Sequence, residues 1–202
     1  MASLHIYRPL IVITTSRRKS PLTNSFIKAL SRVLGAPIIR RGTSNLDEIA
    51  YNIKEEGYEG FIVTYSRLGN PSVLTFYRYI PEKDYFLLFG RIFILGIYID
   101  RSFRGYYEYI TLEHECVSEG CLSAYDFLWS FFKKWKIHNT EKKINNVARI
   151  RVNELEEFRN RWILKMESDP KFAPCVINFL DHMSSRVILK IKVHHVWKSQ
   201  LK

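Results

Sequence analysis

Acidic residues are missing from both ends of this chain. No Asp or Glu precedes Asp47 and none follows Asp181. The first stretch instead carries Arg8, Arg17, Arg18, Lys19, Lys28, Arg32, Arg40 and Arg41, and the last carries Arg186, Lys190, Lys192, Lys198 and Lys202. Cysteine is also scarce. Cys116, Cys121 and Cys175 form no CxxC pair and leave an odd thiol, which argues against a disulfide framework and fits a reducing cytosol. Long apolar runs are lacking too. "PLIVITT" is too short for a signal peptide. "YFLLFGRIFILGIYI" (Tyr85–Ile99) is interrupted by Arg91 and falls short of the roughly 20 residues a membrane helix needs. It reads as a buried strand, and no membrane partner is expected. There is no GxxxxGK[ST] and no GxGxxG after the first strand, so neither an NTP-binding loop nor a dinucleotide site finds support.

What remains is an ordinary globular composition, 47% hydrophobic and 25% charged, with an unusual balance: 31 Lys and Arg against 20 Asp and Glu, formally +11. Such a balance concerns partners and solubility rather than fold. Polyanions are the natural partner, and a merely solvated basic surface is the alternative.

The order of elements points to an α/β fold. "LIVITT" (Leu10–Thr15) is a short β-branched run suited to a strand buried on both faces. Ser20-Pro21 offers an N-cap and a first-turn proline; Phe26, Ile27, Leu30, Val33 and Leu34 follow at helical spacing, and Gly35 closes the helix. "APIIR" is expected as a strand, and Ser44 with Asp47 as a capping box for a helix carrying Leu46, Ile49 and Ile53. "GFIVTYS" (Gly60–Ser66) and "SVLTFYRYI" (Ser72–Ile80) add two strands. A second β-α-β-α-β-β unit is expected to follow: a strand over Ile92–Ile99, a helix in "LSAYDFLWSFFKKWK" with Tyr125, Leu128, Trp129 and Phe132 on one face, and the strand "NNVARIRV". Then come a helix in "ELEEFRNRWILKMES" capped by Asn153 and Glu156, and the strands "CVINFL" and "RVILKIKVHHVW". The chain thus reads as a single domain over 1–202, with similar α/β halves over 1–100 and 101–202.

With parallel strands in the first half, the loops leaving their C-terminal ends share one sheet edge, where open α/β sheets place ligands. Three basic or glycine-bearing loops fall there: Thr15-Ser16-Arg17-Arg18-Lys19-Ser20, Arg40-Arg41-Gly42-Thr43-Ser44 and Ser66-Arg67-Leu68-Gly69-Asn70-Pro71. The first two end at helix N-termini, where free N–H groups favour an anion. Arginine can bond two phosphate oxygens at once, and Gly42 and Gly69 would admit close approach of a sugar-phosphate chain. Several such loops side by side imply a run of phosphates, hence nucleic acid. Ser16 and Ser20 read as a phosphate contact and a helix cap rather than as nucleophiles.

Other clusters carry less. In "RSFRGYYEYI", Tyr106, Tyr107 and Tyr109 beside Arg101 and Arg104 either stack on unpaired bases or form a strand face packed on the core. Glu113, His114, Glu115, Cys116 and Cys121 match no zinc spacing, and the acids read as loop residues. His194 and His195, adjacent in a strand, are expected on opposite faces. No catalytic residue, metal or cofactor is expected.

The stretch "ITTSRRKSPLTNSFIKALSRVLGAPIIRRGTSNLDEI", with "RLGNPSVLTF" beyond it, resembles the Brix-domain family of ribosome-biogenesis proteins, most closely its archaeal Imp4-like members. The resemblance lies in Thr14, Thr15, Ser16 and Arg17 with Ser20-Pro21, in Phe26, in Arg41-Gly42, and in Gly69 and Pro71. Where the family often has Arg-Gly before that proline, this chain has Leu68-Gly69, with Arg67 one position earlier. "INFLDHMSSRVILKIKVHHVW" resembles the family's closing strands more loosely.

This resemblance implies two similar halves, each like the anticodon-binding domain of class II aminoacyl-tRNA synthetases. It implies a non-enzymatic factor that binds rRNA or pre-rRNA and assists processing and subunit assembly, alongside other assembly proteins or small RNPs. The location implied is the archaeal cytoplasm, or the nucleolus in a eukaryote. The expected RNA contacts are Thr15, Ser16, Arg17, Arg18, Lys19, Ser20, Arg40, Arg41, Gly42, Arg67 and Asn70. The alternative is a protein–protein scaffold in a pre-ribosomal particle with only nonspecific RNA affinity.

Overall fold

The computed structural model describes residues 6–17, 20–137, 146–154, 175–181 and 183–199. Their strands form one mixed sheet in the order β1-β6-β7-β8-β9-β5-β4-β3-β2. In chain order these are β1 (Ile6–Tyr7), β2 (Ile11–Thr15), β3 (Gly60–Arg67), β4 (Asn70–Ile80), β5 (Tyr85–Ile99), β6 (Tyr109–Glu115), β7 (Val147–Glu154), β8 (Cys175–Asp181) and β9 (Val187–Lys198). The α-helices are α1 (Pro21–Leu34), α2 (Leu46–Glu55) and α3 (Glu119–Phe132). The helix expected in "ELEEFRNRWILKMES" lies outside the described residues.

β2 and β3 run parallel, as do β6 and β7, and the remaining ladders are antiparallel. The seam between β5 and β9 lies mid-sheet and joins Gly90 to Lys198 and Ile99 to Leu189. Helices α1 and α3 pack on one face over a core that includes Phe26, Leu30, Phe76, Phe89, Phe127 and Phe131. Phe76 meets Phe127 and Phe131 edge to face, each at 5.0 Å between centroids, a favoured aromatic geometry. On the opposite face α2 covers Val12, Phe61 and Val63 with Ile49 and Ile53.

Local chemistry sets the ends of α1 as expected. The Ser20 hydroxyl accepts from the Thr23 N–H, Pro21 takes the first turn, and Gly35 closes the helix at φ +62°. A Cβ at Gly35 would sit 2.4 Å from the Tyr107 carbonyl oxygen, so this turn requires glycine twice over. The capping box of α2 falls one residue later than expected. Asn45 rather than Ser44 is the cap, and it exchanges hydrogen bonds with Glu48.

Other expectations are corrected. "APIIR" makes only an isolated bridge at Ile38, parallel to Ile13. Pro37 contributes no N–H, and the chain leaves the sheet margin after Ile39 donates to Ile13. β5 is a single strand from Tyr85, and it is not buried on both faces: Leu95 and Tyr98 are exposed. The buried stripe of α3 runs through Cys121, Ala124, Phe127, Leu128, Phe131 and Phe132, leaving Trp129 outward beneath Lys133. Glu119, Ser123, Asp126 and Ser130 mark the polar stripe of that helix at i, i+4, i+7 and i+11, and Trp129 lies beside it.

Cys116 and Cys121 are joined in a disulfide, against expectation. The turn from β6 into α3, capped by Ser118, folds the intervening residues back and brings their Cα atoms within 5.4 Å. Glu113 and Glu115 lie in β6 rather than a loop, and both are ion-paired with Arg151. His194 and His195 do not point apart. Phe93 pairs with His195 and Ile94 with Val193, so His194 is the extra residue of a bulge, and the two imidazole Nδ1 atoms approach to 2.5 Å.

Candidate nucleic-acid interface

Because β2 and β3 are parallel, the loops after both leave the same sheet edge. The Ile38 bridge, parallel to β2 on its outer side, delivers the segment from Arg40 to Ser44 there as well. Across the edge the order is therefore residues 66–71, then Ser16, Arg17 and Ser20, then residues 40–44.

The first and third loops are tied together by hydroxyl chemistry. The Ser20 hydroxyl donates to the Gly69 carbonyl at 2.5 Å while accepting from the Thr23 N–H at 3.0 Å. The Thr23 and Ser66 hydroxyls lie 2.7 Å apart, and the Ser16 N–H donates to the Thr64 carbonyl. The third loop is shorter than the sequence implied, because Arg67 pairs with Asn70 and leaves a two-residue turn of Leu68 and Gly69. Both adopt positive φ, +50° and +81°, the conformation of a hairpin turn that matches strand twist. Leu68 stands 92% exposed at its tip.

The second loop is held by its own arginine. Arg41 Nε donates to the Ser44 carbonyl, and the Ser44 N–H donates back to the Arg41 carbonyl. Gly42 turns the chain between them at φ +56°. Arg41 thus stands half-buried, whereas Arg17, Arg40 and Arg67 are exposed. Among the described residues none of these four arginines is ion-paired with a carboxylate. Thr15 is buried at the end of β2, paired with Thr64. Asn70 opens β4, its amide reaching the Leu68 carbonyl. Arg18 and Lys19 lie outside the described residues.

The structure thus brings Ser16, Arg17, Ser20, Arg40, Arg41, Gly42, Arg67 and Asn70 to one sheet edge. Thr23 and Ser66, which sequence reasoning does not single out, fasten that edge from beneath. The Ser-Pro-x-Thr spacing, a cap with a hydroxyl three residues on, is the available signal for Thr23.

The tyrosine-rich connection divides. Tyr107 is buried, its ring parallel to Phe103 at 5.5 Å and its hydroxyl donating to Asp181 at 2.9 Å. Burial and the neighbouring carboxylate both push its phenol pKa up. Tyr106 is exposed, and Tyr109 opens β6. Among the described residues no group of three or more His, Cys, Asp or Glu is placed to hold a metal ion, and no helix is long and apolar enough to cross a membrane.

An α/β sheet of this kind is shared with solved archaeal proteins. No family model matches the chain. Its fold is similar to the crystal structure of a probable ribosomal biogenesis protein from Aeropyrum pernix, with a TM-score of 0.69, 20% identity, and coverage of 94% of this chain and 96% of that one. It is also similar to Mil, an archaeal Imp4-like protein, with a TM-score of 0.58, 20% identity, and coverage of 93% and 99%.

In sequence, the chain is 30% identical over 99 residues to a probable Brix domain-containing ribosomal biogenesis protein of Pyrococcus horikoshii. The match covers 48% of this chain and 43% of that relative. A protein of the same description from Aeropyrum pernix is 38% identical over 66 residues, covering 32% and 37%. The matched region spans less than half the length of these curated relatives. The Brix-domain resemblance read from the sequence is borne out in these homologues, which are archaeal ribosome-biogenesis proteins by name.

Proposed function

We propose that this protein is an rRNA-binding ribosome-biogenesis factor that grips RNA phosphates at the β2–β3 sheet edge and assists processing and subunit assembly without catalysing a reaction. The observation that carries the reading is the arrangement of Arg17, Arg40 and Arg67: exposed, unpaired with acid among the described residues, and set on three loops that leave one edge. Phosphate contacts of this kind position RNA and do not read its bases. The homologues' names support ribosome biogenesis as the process. The non-catalytic part is supported by the structural use of the loop hydroxyls, Ser20 on the Gly69 carbonyl and Thr23 beside Ser66. Assembly proteins or small RNPs are the partners this role implies, and the archaeal cytoplasm its location.

The reading extends to a single domain of two similar halves, each like a class II synthetase anticodon-binding domain. What supports the halves is the pairing pattern. The ladders β2–β3, β3–β4 and β4–β5 run parallel, antiparallel, antiparallel; β6–β7, β7–β8 and β8–β9 repeat that series.

The test is binding to fragments tiling small- and large-subunit rRNA across a salt series, for wild type and for Arg17→Ala/Arg40→Ala/Arg67→Ala with its fold checked by circular dichroism. Every phosphate that the variant no longer neutralises should flatten the log–log salt slope by about 0.7 on single strands. Equal binding by both proteins refutes the edge as the RNA site, and binding by neither favours the protein–protein scaffold.

A further inference from the structure

Among the described residues, no helix covers the face that bears α2 where it continues inward along β5 and β9. The cross-strand neighbours facing outward there are Arg91 with Trp197, Phe93 with His195, Gly96 with Lys192, and Tyr98 with Lys190. Three of these four pairs set an aromatic ring beside a basic side chain. The Arg91 guanidinium lies 5.7 Å from the Trp197 ring centre, and the Phe93 and His195 rings stack at 4.0 Å with 14° between planes. Tyr98 is 54% exposed and Trp197 44%.

Among the described residues, acid is absent from the centre of this face. β4, β5 and β9 contain no Asp or Glu, and β8 contains only its terminal Asp181, which turns to Tyr107. The strand acids that share the face, Glu113 and Glu115, lie out on β6 and are held by Arg149 and Arg151. Flat exposed rings beside basic side chains, on strands without acid, complement one ligand chemistry: unpaired bases on a phosphate backbone. Base–aromatic stacking is sequence-tolerant and sits readily beside a basic groove.

We propose that the open face of β5 and β9 is a stacking platform for single-stranded RNA, with Tyr98 and Trp197 taking bases and Arg91 and Lys190 the adjoining phosphates. This rests on the reading that the protein binds rRNA and adds a second, base-contacting surface to the phosphate-gripping edge. The platform extends towards that edge. β5 runs in the direction of β3, because each is antiparallel to β4, so Tyr98 lies towards the edge that carries Arg17 and Arg67.

The experiment measures binding of labelled oligouridine and of an A-form RNA duplex to the full chain. Tyr98→Leu and Trp197→Leu keep apolar bulk and remove the ring; Tyr98→Phe keeps the ring. Each leucine variant should weaken oligouridine binding about tenfold and leave duplex binding unchanged, while Tyr98→Phe binds as wild type. Photocrosslinking of iodouridine-substituted oligonucleotide to the wild type should label peptides of β5 and β9, which keeps the test valid if a variant misfolds. Natively folded leucine variants that bind oligouridine normally, or crosslinks absent from both strands, overturn the platform, including the case where a protein partner is lost instead. The edge variant Arg17→Ala/Arg40→Ala/Arg67→Ala separates the two readings. If it alone binds normally, the edge reading fails and the platform stands. If the wild type binds neither RNA, both fall.

Discussion

The Ser20 hydroxyl, 49 residues from Gly69 in sequence, donates to its carbonyl and so fastens the basic loop after β2 to the hairpin after β3. The same oxygen caps α1 by accepting from Thr23. One side chain therefore couples helix initiation to loop placement. Ser20→Ala should lower stability by about 1 kcal/mol through the lost cap. Ser20→Asp, which restores a cap acceptor but cannot donate to a carbonyl when ionised, should recover stability without recovering RNA affinity. Thermal unfolding and RNA titration of the two variants check this, and wild-type affinity in both would dissociate the loop from binding.

Arg78 is a half-buried cation with no acidic partner among the described residues. It donates to the Ser130 and Phe131 carbonyls at the end of α3, at 2.5 and 2.7 Å, and lies 4.3 Å from the Phe89 ring centre. Burial holds its pKa below the ordinary arginine value. It is a planar donor between an aromatic face and orphan helix carbonyls, a role lysine cannot copy. Arg78→Lys should cost about 2 kcal/mol and Arg78→Ala more, read from denaturant midpoints. A neutral Arg78→Lys would show that charge rather than geometry is what the site needs.

Thiol chemistry gives a count. With Cys116 and Cys121 joined and Cys175 fully buried, its thiol pushed up to about 12 mainly by burial, native protein should show no fast-reacting thiol. Unfolding without reductant should expose one, and unfolding with reductant three. Reducing the short loop at the start of α3 should cost about 2 kcal/mol in the chain-entropy picture. A native, unreduced protein with two reactive thiols would contradict the pairing.

Asp181 predicts an acid-side response. Burial alone would raise its carboxyl pKa, but hydrogen bonds from Ser184 and Tyr107 hold it below the usual 3.8. A depressed folded pKa contributes stability above the unfolded value, and that contribution is lost as pH falls through the folded one. Tyr107→Phe should therefore flatten the decline in stability below about pH 4. Unfolding curves from neutral pH down to pH 2 read this directly, and parallel profiles would exclude the contact as the cause.

The parts of the fold legible in sequence were those fixed by near neighbours. Ser20-Pro21 and Gly35 bound α1 because caps act within a turn, and the apolar, β-branched run in "GFIVTYS" needs no distant partner to mark a strand. Readings failed where a remote strand decides. "APIIR" has strand composition, but only Ile38 finds a ladder. The histidine pair obeys alternation until a bulge against Phe93 and Ile94 brings the rings together. The edge loops were legible because parallel strands carry their loops to one side. Their fastening was not, because Ser20 with Gly69 and Thr23 with Ser66 are long-range pairs. The open face went unseen because a pattern of alternation separates two faces without saying which one a helix will cover.

The seam between β5 and β9 has a consequence for synthesis. β5 emerges early, an acid-free strand whose partner on one side comes from residues about 90 to 110 positions later. Until β9 leaves the ribosome, that edge presents unpaired amides and apolar side chains, the situation in which nascent chains aggregate. Nascent chains halted before Val187 should accordingly recruit chaperones, and those that have released Lys198 should not.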